Sequence, residues 1–232
     1  MRFRFLGGAE EVGRLGMLAE ENGSKLLFDY GLSATDPPTY PMQAPPVDFL
    51  LLSHAHLDHS GMVPWVCARY QNPVLATRMT QKVSEVLFED NVKIIGLEGY
   101  PQMYDKHDIK ITKENFDEIR FDEERRIGPF DIKFHYAGHI PGATMFELRG
   151  RRNVLFTGDI NTIDSHLLTG TEPVKCDTLI IEGTYAGRNH PKRVKLEYEF
   201  LKKIDEIVTR GGKAIIPAFA IGRTQEIMLI LS

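Results

Sequence analysis

The sequence predicts a mixed α/β protein with two β-sheets and helices outside them, on three observations. Strand-like segments open the chain as a meander, helical periodicities follow as a group, and strands then return as a second group before the final helices. A plain alternating doubly wound fold would instead interleave strand and helix one by one. With 42% hydrophobic and 26% charged residues in 232, the chain has the composition of a globular domain, which excludes disorder and collagen-like structure.

The elements follow in order. Residues 2–6 alternate like a strand and lack the apolar run of a secretory signal. Segments 15–20 and 25–29 and the run Phe49-Leu50-Leu51-Leu52 complete the first strand group, with Pro37-Pro38 through Pro45-Pro46 as an extended loop. Helical spacing covers about 60–70 and 79–95, where Val83, Val86, Leu87 and Ile94 share a face, and a polar helical segment near 112–119 has Thr112 as its cap. Phe130, Ile132, Phe134 and Tyr136 then alternate, Met145–Leu148 follows, and Asn153–Phe156 forms its hairpin partner across Arg149-Gly150-Arg151-Arg152. Thr178–Ile181 reads as a short buried run. A helix over about 193–209 stops at Gly211-Gly212, before a strand Ala214-Ile215-Ile216 and a last helix.

Composition also narrows the function. No stretch approaches the ~20 apolar residues of a membrane helix, so the expectation is a soluble, cytoplasmic protein with no membrane partner. Cys67 and Cys176 are the only cysteines; they exclude a disulfide framework or a cysteine-rich zinc site and read as buried thiols. A net charge of −4 excludes a broadly basic nucleic-acid binder, so a polyanion would be held locally.

The chemistry concentrates in Leu52-Ser53-His54-Ala55-His56-Leu57-Asp58-His59-Ser60-Gly61, directly after an apolar strand. In extended backbone, side chains at i and i+2 face the same way, so His54 and His56 can converge on one ion. If the chain turns helical near Asp58, Asp58 and His59 point elsewhere and begin a second site. Nitrogen and oxygen ligands without thiolates suit Zn²⁺, ahead of iron or manganese. Two more strand ends supply ligands: His139 in Tyr136-Ala137-Gly138-His139 as a third imidazole, and Asp159 in Phe156-Thr157-Gly158-Asp159 as a bridge between two ions. Asp29, ending the run Leu26-Leu27-Phe28, is expected to orient a ligand histidine by accepting its free N–H, its plainer alternative being a turn aspartate. His107, His135 and His166 carry no assigned chemistry, and His135, alternating with Phe134 and Tyr136, is expected to face solvent.

The His54-x-His56-x-Asp58-His59 loop, with His139 and Asp159, resembles the metallo-β-lactamase fold hydrolases. Ile181-Glu182-Gly183-Thr184-Tyr185-Ala186-Gly187 and Pro217-Ala218-Phe219-Ala220-Ile221-Gly222-Arg223-Thr224-Gln225-Glu226 resemble its β-CASP branch of nucleases, which includes the cleavage and polyadenylation endonuclease subunit. The resemblance implies an αββα sandwich over residues 1–187, the start of an inserted β-CASP domain over 188–232, and two Zn²⁺ per complete site. It implies hydrolysis of single-stranded RNA, in which hydroxide between the ions attacks phosphorus in line, leaving a 5′-phosphate and a 3′-hydroxyl. Asp58, Asp159 and Glu182 are its implied catalytic residues; glutamate at 182 is typical of RNA-directed members. Arg223, Arg188 and Lys192 are candidate RNA contacts, with Arg149, Arg151, Arg152, Arg193 and Lys195 as further basic positions.

In the family the chain continues and returns further histidines to the site. This sequence therefore reads as the N-terminal portion of an enzyme, with a second copy or a complementary C-terminal half as expected protein partner. Two alternatives stand beside this reading. One is a small-substrate hydrolase of the same fold, for which His190 would be the missing ligand. The other is an incomplete module that binds metal and RNA without cutting.

Overall fold

The computed structural model describes residues Met1–Ser232. The first half runs β1 (Arg2–Gly7), β2 (Gly16–Glu21), β3 (Ser24–Tyr30), β4 (Phe49–Leu51), α1 (Leu57–Ser60), α2 (Val63–Tyr70), β5 (Val74–Thr77), α3 (Arg78–Glu98), α4 (Lys106–Asn115) and β6 (Phe116–Ile119). The second runs β7 (Glu124–Ile127), β8 (Phe130–Tyr136), β9 (Thr144–Arg149), β10 (Val154–Phe156), β11 (Thr178–Ile180), α5 (Arg193–Thr209) and α6 (Arg223–Leu231). No helix is long and apolar enough to cross a membrane.

Two sheets result, in the orders β1-β2-β3-β4-β5-β6 and β11-β10-β9-β8-β7. Strands β3 to β6 are parallel to one another, whereas β7 to β10 form an antiparallel meander with β11 parallel to β10. Alternation in the strands sorts the core into layers. Leu26, Phe28 and Leu51 face Phe130, Phe134, Phe146 and Phe156 across the sandwich. Their neighbours Leu27 and Leu50 face the other way, onto Val63, Val66, Phe88 and Ile109 of the helices. A smaller cluster of Ala55, Ala137, Ile140, Ala143, Met145 and Leu155 lies under the metal loop. Helix α5 buries no residue.

Several elements differ from the sequence reading. The helix expected near 112–119 is α4, which starts earlier because the Asp105 side chain accepts from the His107 and Asp108 amides. Thr112 is buried inside α4 and its hydroxyl donates to the Asp108 carbonyl. Residues 116–119 are instead strand β6, because they pair in parallel with β5, itself not expected. Strand β11 is largely exposed at the sheet edge where a buried run was expected, with Leu179 50% accessible. Residues 214–216 form no strand, since no neighbouring strand pairs with them and Ile215 is 94% exposed. Cys67 is buried, which pushes its thiol up to about 12, but Cys176 is only half-buried. His135 is also half-buried, drawn in by the buried Glu147 carboxylate 2.9 Å from its Nε2.

Phe146 sits at the centre of the inter-sheet layer, within 5.9–6.5 Å of the rings of Phe28, Phe134 and Phe156. Phe146→Ala is expected to lower the unfolding free energy by about 3–5 kcal/mol, the cost of a cavity in a rigid core. Denaturant titration followed by circular dichroism measures it, and a loss under 1 kcal/mol would show that this layer is loosely packed.

Candidate metal centre

Parallel pairing explains why distant residues meet. Strands β3 and β4 run side by side, and β8 and β10 both oppose β9, so the ends that carry Asp29, Ser53, Ala137 and Thr157 open on one edge of the sandwich. Beyond them the chain turns and presents His54, His56, His139 and Asp159 as one cluster. His56 Nδ1 lies 3.2 Å from His54 Nε2 and 3.3 Å from His139 Nε2. Asp159 divides its carboxylate: Oδ2 is 3.5 Å from His139 Nε2 and 3.9 Å from His54 Nε2, while Oδ1 is 3.3 Å from His59 Nε2. Asp58 Oδ2 lies 3.8 Å from that same His59 nitrogen.

The orientation of the His54 and His59 rings traces to Asp29, which is fully buried. Its Oδ1 accepts from the Ser53 amide at 2.7 Å, and its Oδ2 accepts from the Ser53 hydroxyl at 2.7 Å and from His59 Nδ1 at 2.8 Å. Because the Ser53 hydroxyl donates to Asp29, it accepts from His54 Nδ1 at 3.0 Å, which leaves the His54 Nε2 lone pair facing the cluster. Asp29 has φ +52°, a left-handed conformation that aspartate tolerates better than most residues. Gly31 completes the wall: a Cβ there would fall 1.7 Å from the Asp58 carbonyl oxygen, so only glycine lets β3 abut α1. The Leu15 amide also donates to that carbonyl, at 2.9 Å.

Electrostatics divide the cluster in two. Burial, reinforced by the neighbouring imidazoles, holds His54 well below the ordinary histidine range, and burial lowers His139 to about 4. Both imidazoles are neutral at pH 7. Burial also opposes charge on His59, but the hydrogen bonds and charges of Asp159 and Asp29 outweigh it and raise His59 well above its usual value. Burial disfavours charge on Asp159, yet His59, His139 and His56 together bring it down to about 2. A tetrahedral ion with zinc–nitrogen bonds of about 2.0–2.1 Å separates its ligand atoms by roughly 3.3 Å. His56 Nδ1 already has that spacing to both His54 Nε2 and His139 Nε2, and all four ligand atoms of the cluster lie within 4.8 Å of one another, so the donor set fits the ion.

Of the other residues singled out from the sequence, Glu182 accepts from the Ile160 amide at 3.3 Å, one residue past Asp159. Arg188, Lys192 and Arg223 are exposed, on the turn before α5, at its cap and at the first position of α6. The structure gives them no contact to the cluster. Arg149 is engaged by Glu124 and Glu147, and Arg193 by Glu197 and Glu226. His190 packs on Tyr185 and stands apart from the cluster. Sequence reasoning missed Ser53, whose position beside His54 was its only signal, and missed Gly31 and the Ile221 carbonyl, 3.4 Å from His56 Nε2.

The family model of the Metallo-beta-lactamase superfamily matches residues 14–211. The chain is 37% identical to Probable RNase MJ4 of Methanocaldococcus jannaschii, covering all of this chain and 56% of that protein. It is 34% identical to Cleavage and polyadenylation specificity factor 73 of Drosophila melanogaster, covering all of this chain and 35% of that protein. It thus spans about half the length, or less, of these relatives. A crystal structure of a protein of unknown function from Enterococcus faecalis shares the fold, with TM-score 0.57 at 13% identity over 88% of this chain and 57% of that one.

Two outcomes follow from this geometry. Asp29→Asn keeps shape and left-handed tolerance but sets an NH₂ against at least one of three donors; zinc affinity should fall about 10–100-fold, measured by competition with a chromophoric chelator. Unchanged affinity would remove Asp29 from the site. Zinc uptake at the Asp58–His59 side should expel a proton from the raised His59 near pH 7, whereas the neutral His54 and His139 release none. Calorimetry in buffers of different ionisation enthalpy reads this as about one proton per ion bound at that side, and equal release at both would contradict it.

Proposed function

Because the chain belongs to the metallo-β-lactamase superfamily, we propose that it forms the metal-binding part of a zinc-dependent phosphodiesterase that cleaves single-stranded RNA. The observation that carries this reading is the divided carboxylate of Asp159, with one oxygen turned to His54 and His139 and the other to His59. A carboxylate so placed would serve two cations at once. His54, His56, His139 and Asp159 would hold the first, and Asp58, His59 and Asp159 the second, which keeps positions open for water and substrate. The similarity to Probable RNase MJ4 and to a cleavage and polyadenylation specificity factor supports RNA as the substrate class.

A phosphodiester resists hydrolysis because it is already anionic. Two bound cations supply a nucleophile at neutral pH and offset the charge that builds on phosphorus. The chain's own residues prepare for this. Asp29 and Ser53 hold the His54 and His59 imidazoles in place so that these rings need no reorganisation during the reaction. Asp159 and Asp58 supply the anionic ligands, and Glu182 steadies the backbone after Asp159. Arg188, Lys192 and Arg223, all exposed, would hold the phosphates of the strand on the segment from residue 188 onward, which we read as the start of a second, inserted domain.

The test is cleavage of a 5′-labelled single-stranded RNA by the purified chain with added Zn²⁺, beside its zinc content by mass spectrometry. Two zincs per chain and cleavage that Asp159→Ala abolishes are expected. Cleavage that survives His56→Ala would trace to a contaminant and overturn the catalytic reading. Zinc binding without cleavage would favour a metal- and RNA-binding module.

A further inference from the structure

The segment that enters α6 reaches back to the metal cluster from far along the chain. The Ile221 carbonyl lies 3.4 Å from His56 Nε2, although the two are 165 positions apart in the chain. A carbonyl oxygen only accepts, so a hydrogen bond at this contact requires the His56 proton on Nε2 and would leave the Nδ1 lone pair toward His54 and His139. Ser53 and Asp29 hydrogen-bond to His54 and His59, whereas the polar neighbour of His56 Nε2 is the Ile221 carbonyl.

The segment is held in three ways. Ile221 packs against the apolar cluster of Ala55, Ala137 and Ile140, whose members neighbour His54, His56 and His139 in the chain. Gly222, at φ +83°, lies so close that a Cβ would come within 2.6 Å of Ile140 Cγ2. One turn on, Glu226 is buried, and its carboxylate accepts from the His166 and Leu167 amides at 3.0 and 2.8 Å and pairs with the Arg193 guanidinium. This clamp joins α6, α5 and the 165–168 loop, so the backbone at Ile221 cannot drift from His56.

We propose that residues 219–226 form a positioning element for the metal site, in which the Ile221 carbonyl selects the Nε2–H tautomer of His56 and Gly222 and Glu226 hold that carbonyl in place. The proposal rests on the metal-site reading above and extends it to residues outside the histidine loop. These are positioning residues: they reach the ion only through His56.

The experiment uses the full chain with ¹⁵N-labelled histidine. Long-range proton–nitrogen correlation spectra of the metal-free protein should show His56 protonated on Nε2. Gly222→Ala should mix its tautomers and weaken zinc binding about 10–100-fold, with an unchanged far-ultraviolet spectrum. If Gly222→Ala fails to fold, Glu226→Gln, which keeps side-chain volume and removes the charge that Arg193 meets, should shift the same two readouts. A wild-type His56 protonated on Nδ1, or a folded variant with wild-type tautomer and affinity, overturns the proposal. A wild-type protein that binds no zinc overturns the metal reading instead, and the tautomer spectrum still decides the role of Ile221.

Discussion

The buried carboxylate of Asp29 is the interaction from which the rest of the site is built. It has no solvent to satisfy it, so it must take its hydrogen bonds from the protein, and it takes them from the Ser53 amide, the Ser53 hydroxyl and His59. Each of those donors is thereby committed to one direction. The committed Ser53 hydroxyl turns His54, and the committed Nδ1 of His59 turns its other nitrogen toward Asp159. A single buried carboxylate thus orients two neighbouring imidazoles of the cluster.

The sandwich supplies the distance over which this works. Asp29 ends one strand and Ser53 follows the next, in parallel register, so their contact spans neighbouring strands of one sheet. His139 and Asp159 come from the other sheet, and the inter-sheet layer around Phe146 holds the two halves of the cluster at a fixed separation. Rigid packing below the site means that side chains above it keep ligand spacing by themselves. The cost is close approach of backbone to backbone, as at Gly31 against the Asp58 carbonyl.

The C-terminal segment behaves differently from the sandwich. Helix α5 buries nothing, and Leu179, Ile215 and Phe219 are exposed, yet the entry to α6 is fastened by Glu226 beside the metal loop. The part of the chain with the least core of its own therefore carries one contact to the site. Its apolar spacing made a helix legible over 193–209 and a strand plausible over 214–216. The helix needs only local hydrogen bonds and formed; the strand needs a neighbour and did not.

How much was legible follows the same distinction. Periodicity alone shows the strand groups and most helices, and the density of histidine and aspartate in residues 54–59 marks a metal site, because both are local properties of the chain. The capping of α4 by Asp105, in place of Thr112, was legible in principle and was misread by one helical turn or more. Strands β5 and β6 were not, since their pairing joins segments that lack a strong alternation of their own. Local pattern therefore suffices for the two-sheet class and for which residues are of ligand type. That Asp159 divides its oxygens, which nitrogen of a histidine faces inward, and that Ile221 meets His56 emerge only when the chain is packed. Those are matters of hydrogen-bond direction between groups up to 165 residues apart, and direction is set by packing that no local pattern encodes.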